Sequence, residues 1–336
     1  GKIAENLVNY IQDHGGIMTL EDLEKYEAVE RKPIHSTFDD FDLYGMPLPS
    51  SGGVAVTQMM NMWEQLEEIP KMGSIGYYHT LAEMMRRAFK DRAQYLGDTD
   101  FVEIPELEKL LSKNYAKELL SKIDFEKSGE SDSTDIQLIS EGQETTHLSV
   151  MDEEGMAVSM TVTLEHGYCV KMQSPELGFL LNNEMGDFNA VQGKTTNSGQ
   201  IGTPANNIEP EKRMLSSMSP FIVMKNNQPY LVIGSPGGRT IINTVFQTML
   251  ATMVYEFPMA QAIEAPKIHH QWLPDRIIYE EYKMAPETLK SLEERGHELQ
   301  VRSFLGRLMG IKFDPETEFM EGAADSGSPD GGVAAY

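Results

Sequence analysis

The chain has 336 residues, 40% of them hydrophobic, enough to bury a sizeable core as one large domain or two ordinary ones. Asp and Glu number 52 against 28 Lys and Arg, and the net charge of -24 disfavours nucleic acid or anionic membrane as a partner and requires any acidic ligand to be captured locally. The single cysteine, Cys169, excludes an internal disulfide, no apolar run approaches the ~18 residues that span a bilayer, and Gly1 to Leu7 lacks the basic-then-apolar pattern of a signal peptide.

Ile3, Leu7, Tyr10 and Ile11 recur at helical spacing and Gly15-Gly16 supplies a stop. The helical rhythm begins at once and there is no initiator Met, so an upstream portion is expected. Thr19 with Asp22 predicts a capped helix over 20 to 29. A strand over 41 to 46 leads into Pro47-Leu48-Pro49-Ser50-Ser51-Gly52-Gly53, a rigid turn opening a helix to about residue 66. The Gly-Gly lacks the Lys and spacing of a phosphate loop, which leaves close backbone packing as its expected use. A longer helix over 77 to 96 buries Leu81, Met84, Met85 and Phe89 and carries Arg86, Arg87, Lys90 and Arg92, expected to be solvated or paired with the surplus acids. Short helices over 105 to 111 and 113 to 123 precede a polar run from 126 to 134 with the composition of an exposed linker.

Beyond the linker the pattern turns to period two. A hairpin is predicted over 147 to 164 around Asp152-Glu153-Glu154-Gly155, and a second over 221 to 233, running into Gly234-Ser235-Pro236-Gly237-Gly238 and a helix over 241 to 253. The intervening stretch from 189 to 214, rich in Gly, Asn, Pro and Thr, is long enough to be a lid over a site. A strand over 277 to 281, a helix over 286 to 294, and strands near 298 to 302, 308 to 313 and 319 to 321 complete the chain. Helices early and strands late predict an α+β fold, a sandwich of two sheets covered by helices.

Thr145-Thr146-His147 begins the first predicted strand, and a threonine hydroxyl is a weak nucleophile unless a base lies within hydrogen-bond reach. If the chain were cut before Thr145, its own α-amine, with a reference pKa near ~8, would be that base. Residue types alone leave Thr145 as a strand start, Glu184 and Asp187 as loop-edge charges, Ser216-Ser217 as turn residues and Gly237-Gly238 as a helix start. His269-His270 suggests a metal pair, but neighbours on a strand point to opposite faces, so a structural role is expected and no metal or cofactor is assigned.

The ordered set Gly15-Gly16, Pro49-Ser50-Ser51-Gly52-Gly53, Thr145-Thr146-His147, Leu180 to Met185 with Asp187-Phe188, Arg213 with Leu215 to Pro220, Gly234 to Gly238 and His269 to Asp275 resembles the γ-glutamyltranspeptidase family of N-terminal nucleophile hydrolases. The resemblance implies the αββα sandwich of that class and a precursor that cleaves itself between Glu144 and Thr145. It divides the chain into 1–144, the C-terminal part of a large-subunit region, and 145–336, a small-subunit region, both within one domain. Thr145 would attack a γ-glutamyl amide such as glutathione, with Thr163 orienting its hydroxyl and the backbone N–H groups of Gly237 and Gly238 holding the oxyanion. Glu184 and Asp187 would bind the substrate ammonium, and Ser216 and Ser217 its α-carboxylate. The γ-glutamyl enzyme would pass to water or to an amino acid or peptide amine. The chain's own upstream large-subunit segment is the implied partner, and a periplasmic or extracellular location is implied too.

Three departures from the family pattern stand out. Glu165 occupies a position where many relatives carry an Asn that contacts the α-carboxylate, and an ionised Glu would repel that group unless protonated or turned away. The usual Phe-Gly-x-Gly is Tyr168-Cys169-Val170-Lys171, and the C-terminal Ser-Asp-x-Arg is Ala324-Asp325-Ser326-Gly327. The family's main arginine for the α-carboxylate belongs to the upstream region, so weak binding of γ-glutamyl groups is expected of this stretch alone. Other readings are a poly-γ-glutamate depolymerase or glutaryl-type acylase of the same fold, an inactive relative serving as a binding or structural protein, and a cysteine hydrolase built on Cys169.

Overall fold

The computed structural model describes residues 1–104, 106–132, 145–189, 191–195, 201–315 and 317–336. Helix α1 (Lys2–Asp13) stops where Gly15 takes φ 85° and the Gly16 N–H returns to the Ile11 carbonyl, the ending its glycines predict. Thr19 and Asp22 form a reciprocal capping box on α2 (Leu20–Lys25). That helix falls short of the expected residue 29 because Tyr26 is already extended.

Strand β1 (Ile34–Phe38) pairs antiparallel with β2 (Phe41–Gly45). The sequence pattern does not reveal β1, since His35, Ser36 and Thr37 dilute its apolar signal. Helices α3 (Gly52–Glu64), α4 (Ile75–Tyr95), α5 (Leu107–Leu110) and α6 (Lys113–Leu120) follow. A Cβ on Gly52 would lie 2.4 Å from the Met218 carbonyl oxygen, and one on Gly53 2.2 Å from that of Met46, so this Gly-Gly does serve close backbone packing.

The second half supplies the hairpin β3 (Thr145–Met151) and β4 (Ala157–Thr163), then β5 (Phe221–Lys225), β6 (Gln228–Gly234), α7 (Thr240–Met253) and α8 (Met259–Glu264). It ends with β7 (Ile268–His269), β8 (Ile277–Glu280), α9 (Pro286–Glu294), β9 (Leu299–Arg302), β10 (Met309–Asp314) and β11 (Phe319–Ala324). Six strands form one sheet in the order β1-β2-β5-β6-β10-β11, and β7-β8-β9 form another. Because β2 pairs with β5, the stretches before and after Thr145 share a single sheet and one core.

Successive side chains of a strand point to opposite faces, which sorts the layers. Leu231 and Ile233 of β6 enter the main core with Trp63, Met84, Phe89, Phe246 and Leu250 from α3, α4 and α7. Gly234 faces the other way, where a Cβ would meet the His147 ring at 2.2 Å. The β3–β4 hairpin therefore lies on the face of the large sheet opposite the helices, and its own outer face exposes Leu148, Val150, Val158, Met160 and Val162. Helices, large sheet and hairpin give three successive layers of the expected αββα sandwich among the described residues.

The basic cluster of α4 is less solvated than its composition suggests. Arg86, only 6% exposed, joins Arg87 in pairing with Glu83 and also reaches Asp275, which accepts from His270. The same network holds the supposed linker: Arg86 donates to Ser128 and Ser131, Gly129 N–H to Glu83 and Ser131 N–H to Asp275. Residues 128 to 131 are thus pinned to the body rather than free, and the cleavage-proximal stretch 133 to 144, including Glu144, lies outside the described residues.

Burial makes this core acid-sensitive. It lowers the pKa of His79, His147, His269, His270 and His297, to about 4 for His147 and about 3 for His269 and His297. The unfolded chain binds these protons near pH ~6.5 and the folded chain resists them, so the unfolded state holds more protons as pH falls. Their contribution to stability is full above about pH 6.5 and declines below it, and five histidines outweigh the opposite effect of any single raised carboxyl. The urea midpoint is expected to drop steadily between about pH 6.5 and pH 4; a constant midpoint across that window contradicts this account.

Candidate active site

Side-chain bonds between the layers act as a ruler for Thr145. Ser149 Oγ donates to the Val232 carbonyl at 3.2 Å, Ser159 Oγ donates to the Ile233 carbonyl at 3.0 Å, and the His147 ring covers Gly234. Passing from Ser149 to His147 along β3 therefore passes from Val232 to Gly234 along β6. One more step of two carries β3 to Thr145 and β6 past its last residue, Gly234, where the segment leading to Gly237-Gly238 begins. Along β4 the same step from Ser159 leads to Thr163. His147 cannot be the base for its neighbour: burial keeps it neutral, and its ring nitrogens are engaged by Thr161 Oγ1 at 2.9 Å and Ser149 Oγ at 3.0 Å.

Cross-strand pairing sets Thr145 opposite Thr163, and Thr145 Oγ1 donates to Thr163 Oγ1 at 3.1 Å. Thr163 Oγ1 also accepts the Glu165 N–H at 2.9 Å and hydrogen-bonds the Glu184 carboxylate. A hydroxyl has one proton and two lone pairs, so all three capacities of Thr163 are engaged and its orientation is determined. The result is a short relay from Thr145 through Thr163 to Glu184.

Glu184 and Asp187 begin and end a single 3-10 turn (Glu184–Asp187). Burial raises the Glu184 carboxyl to about 7, reinforced by the charges of Asp187 and Glu165 and opposed by the Thr163 hydrogen bond. Its Oε1 is buried without a hydrogen-bond partner, an acceptor that a ligand cation would satisfy. Glu165, at φ 74°, turns its carboxylate towards His166 and against Gly186, where a Cβ would lie 3.3 Å from it. Its charge therefore adds to those of Asp187 and Glu184 in one acidic cluster, and the carboxylate is turned away as the expectation for a Glu in an Asn position required.

Ser216 and Ser217 follow a loop locked to the turn before α3. Ser51 N–H and Oγ both donate to the Ser216 carbonyl, at 2.9 and 2.7 Å, and Ser216 N–H donates to Pro49 O at 3.0 Å. Buried Asn206 joins this loop to the acidic turn, donating to the Asp187 carbonyl at 2.7 Å and accepting the Leu215 N–H at 2.9 Å. Arg92 braces the other side, with Nε donating to Ser51 Oγ at 2.8 Å and Nη2 to Ser217 Oγ at 3.0 Å. Neither Asn206 nor Arg92 was assigned to the site from sequence; both act across sequence separations that no local pattern records.

Gly237 and Gly238 connect β6 to α7 with φ 137° and 60°. A Cβ on Gly237 would lie 2.6 Å from Thr240 Oγ1 and 3.2 Å from Gly306 Cα, so only glycine fits there without displacement. Their amides precede the first turn of a 14-residue helix, where the dipole favours negative charge. His269 and His270 are each held by packing partners instead, His269 by Asn243 and Gln271 and His270 by Asp275 and the Trp272 N–H. The stretch expected as a lid contributes Asn206, and residues 190 and 196 to 200 within it lie outside the described residues.

A threonine hydroxyl heading a strand of one layer and a glycine turn ending a strand of the next belong to a fold found elsewhere. Cephalosporin acylase from Bacillus halodurans matches it with a TM-score of 0.84 at 24% identity, over 100% of this chain and 59% of that one. The fold is that of the N-terminal nucleophile hydrolases. Within it, the gamma-glutamyltranspeptidase family model matches residues 1–336, and the chain belongs to that family. The glutathione hydrolase proenzyme of Escherichia coli K12 is 40% identical over 339 residues, covering 100% of this chain and 58% of that protein. That of Bacillus subtilis 168 is 34% identical, covering 97% of this chain and 56% of that protein, so the chain spans little more than half the length of these relatives. The Helicobacter pylori gamma-glutamyltranspeptidase T380A mutant matches with a TM-score of 0.51 at 40% identity, over 54% of this chain and 98% of that one.

Proposed function

We propose that this protein is a self-processing γ-glutamyl transferase and hydrolase acting on γ-glutamyl amides of the glutathione kind. The observation that carries the reading is the relay from Thr145 Oγ1 through Thr163 to a buried, half-satisfied Glu184. Scission between Glu144 and Thr145 frees the α-amine of Thr145, leaving two pieces, 1–144 and 145–336, of one folded unit. That amine takes the Thr145 hydroxyl proton as Oγ bonds to the γ-carbonyl carbon. The carbonyl oxygen becomes an oxyanion facing the Gly237 and Gly238 amides. On collapse the C–N bond breaks, the leaving amine takes the proton, and the γ-glutamyl group remains as an ester on Thr145. Water or an acceptor amine then attacks the ester, giving hydrolysis or transpeptidation.

Glu184 and Asp187 bind the donor's ammonium, with Glu165 adding negative charge beside them, and Ser216 and Ser217 bind its carboxylate. An upstream large-subunit segment and a periplasmic or extracellular location belong to the same reading. Among the described residues, no helix is long and apolar enough to cross a membrane.

The pH profile tests it. With its pKa near about 7, Glu184 is neutral below that pH and cannot neutralise an ammonium. Below about pH 7, kcat/KM for a γ-glutamyl anilide is expected to fall about tenfold per pH unit more steeply than titration of the Thr145 amine alone would make it, while the Glu184 limb in kcat lies lower because bound ammonium favours the ionised carboxylate. Glu184→Gln removes this added steepness, leaves the limb of the Thr145 amine and lowers the plateau by roughly 10- to 100-fold. Identical profiles for parent and variant would remove Glu184 from the site.

A further inference from the structure

The two serines in the proposed carboxylate site face a simple problem of proton direction. A serine hydroxyl donates once and accepts twice, so unless something fixes it, it presents a lone pair to an anion as readily as a proton. At Ser216 the Met218 N–H occupies a lone pair of Oγ at 3.1 Å. At Ser217 the occupant is the Arg92 guanidinium, through Nη2 at 3.0 Å. Arg92 belongs to the last turn of α4, is only 6% exposed and carries a charge that no ordinary pH removes. Its Nε simultaneously donates to Ser51 Oγ, whose own proton goes to the Ser216 carbonyl.

We propose that Arg92 is a positioning residue for the donor's α-carboxylate: by donating to Ser217 it turns that hydroxyl's proton outward, and through Ser51 it holds Ser216 at the same height. The inference rests on the proposed assignment of Ser216 and Ser217. A charged donor polarises the hydroxyl it binds, so the Ser217 O–H becomes a stronger donor to an anion. The buried cation also stands directly behind the hydroxyl, adding favourable potential at the carboxylate in a chain whose net charge is -24. Arg92 is thereby separated in role from Arg86 and Arg87, neighbours on the same helix that pair with Glu83.

The test compares two substrates on the full-length gene product, a γ-glutamyl anilide and the γ-aminobutyryl anilide that differs only in lacking the α-carboxylate. Arg92→Met is expected to reduce the ratio of kcat/KM for the first over the second by roughly 10- to 100-fold, mainly through KM. Ser217→Ala should reduce the ratio similarly, and adding Arg92→Met to it should reduce the ratio by less than Arg92→Met does alone, because the share that acts through the Ser217 hydroxyl is already lost. Arg92→Lys, which keeps the charge but cannot span both serines, should fall between and serves if Arg92→Met does not fold. An equal loss on both substrates, or full additivity with Ser217→Ala, overturns the inference while leaving the γ-glutamyl reading intact. A parent enzyme that does not prefer the γ-glutamyl anilide overturns that reading, and the role of Arg92 with it.

Discussion

Thr145→Ala is expected to remain one chain after incubation at neutral pH, while the full-length parent resolves by intact mass spectrometry into two pieces that divide between residues 144 and 145. In the same preparation, turnover of a γ-glutamyl anilide should fall by roughly 10³- to 10⁶-fold, the range seen when a covalent nucleophile is removed. Both effects share a cause: Thr145 Oγ1 is the hydroxyl at the head of the relay, and when it is lost Thr163 keeps its bonds to the Glu165 N–H and the Glu184 carboxylate. Cys169→Ala supplies the contrast. Burial and the Glu184 charge raise the Cys169 thiol, which disfavours the thiolate, so this substitution should leave both processing and turnover close to the parent. Scission in Thr145→Ala, or loss of turnover in Cys169→Ala, would reassign the nucleophile.

Gly237→Ala carries the second large effect. The new Cβ would be 2.6 Å from Thr240 Oγ1 on a backbone at φ 137°, so the peptide must rotate or the first turn of α7 must shift. Thr240 Oγ1 donates to the Gly237 carbonyl at 2.8 Å, so its displacement also releases the turn. A misdirected oxyanion donor costs on the order of 10²- to 10³-fold in kcat, with little change in KM because the ground-state carbonyl makes little use of it. Steady-state kinetics on protein whose circular dichroism melt is retained would check this. A variant with unchanged kcat would separate the glycine turn from catalysis.

What the sequence disclosed depended on the length scale of the interaction. The two hairpins and α7 follow from apolar periodicity, a property of neighbours. Strand β1 escaped because three polar residues interrupt it, and the two-residue β7 is too short to show a period. The chemistry behaved likewise: Thr145, Thr163, Glu184 and Asp187 occur in motifs compact enough to recognise. Arg92 meets Ser217 125 positions away, and Asn206 joins two segments that only the folded chain brings together. Glu165 is a different case, because its residue type was plain but the direction of its carboxylate depends on a left-handed backbone. Cys169 and Lys171, at the positions where the resemblance has glycines, take positive φ values of 57° and 59°, a backbone that glycine suits best. Composition misled at residues 128 to 131, whose polarity serves a buried ion network rather than solvent.

The contact of His147 with Gly234 has a geometric consequence. Sheets facing one another normally keep about 10 Å between them, a spacing set by the side chains that fill the gap. Here an imidazole lies against a residue with no side chain at all, two residues after Thr145 on one strand and just before the glycine turn on the other. The height of Thr145 above the end of β6 is therefore a thickness, fixed by the volume of the filling, and not a register fixed by backbone pairing. Pressure and interlayer substitutions that leave every strand pair untouched should alter the rate, whereas slippage along a strand is blocked by the serine bonds to Val232 and Ile233.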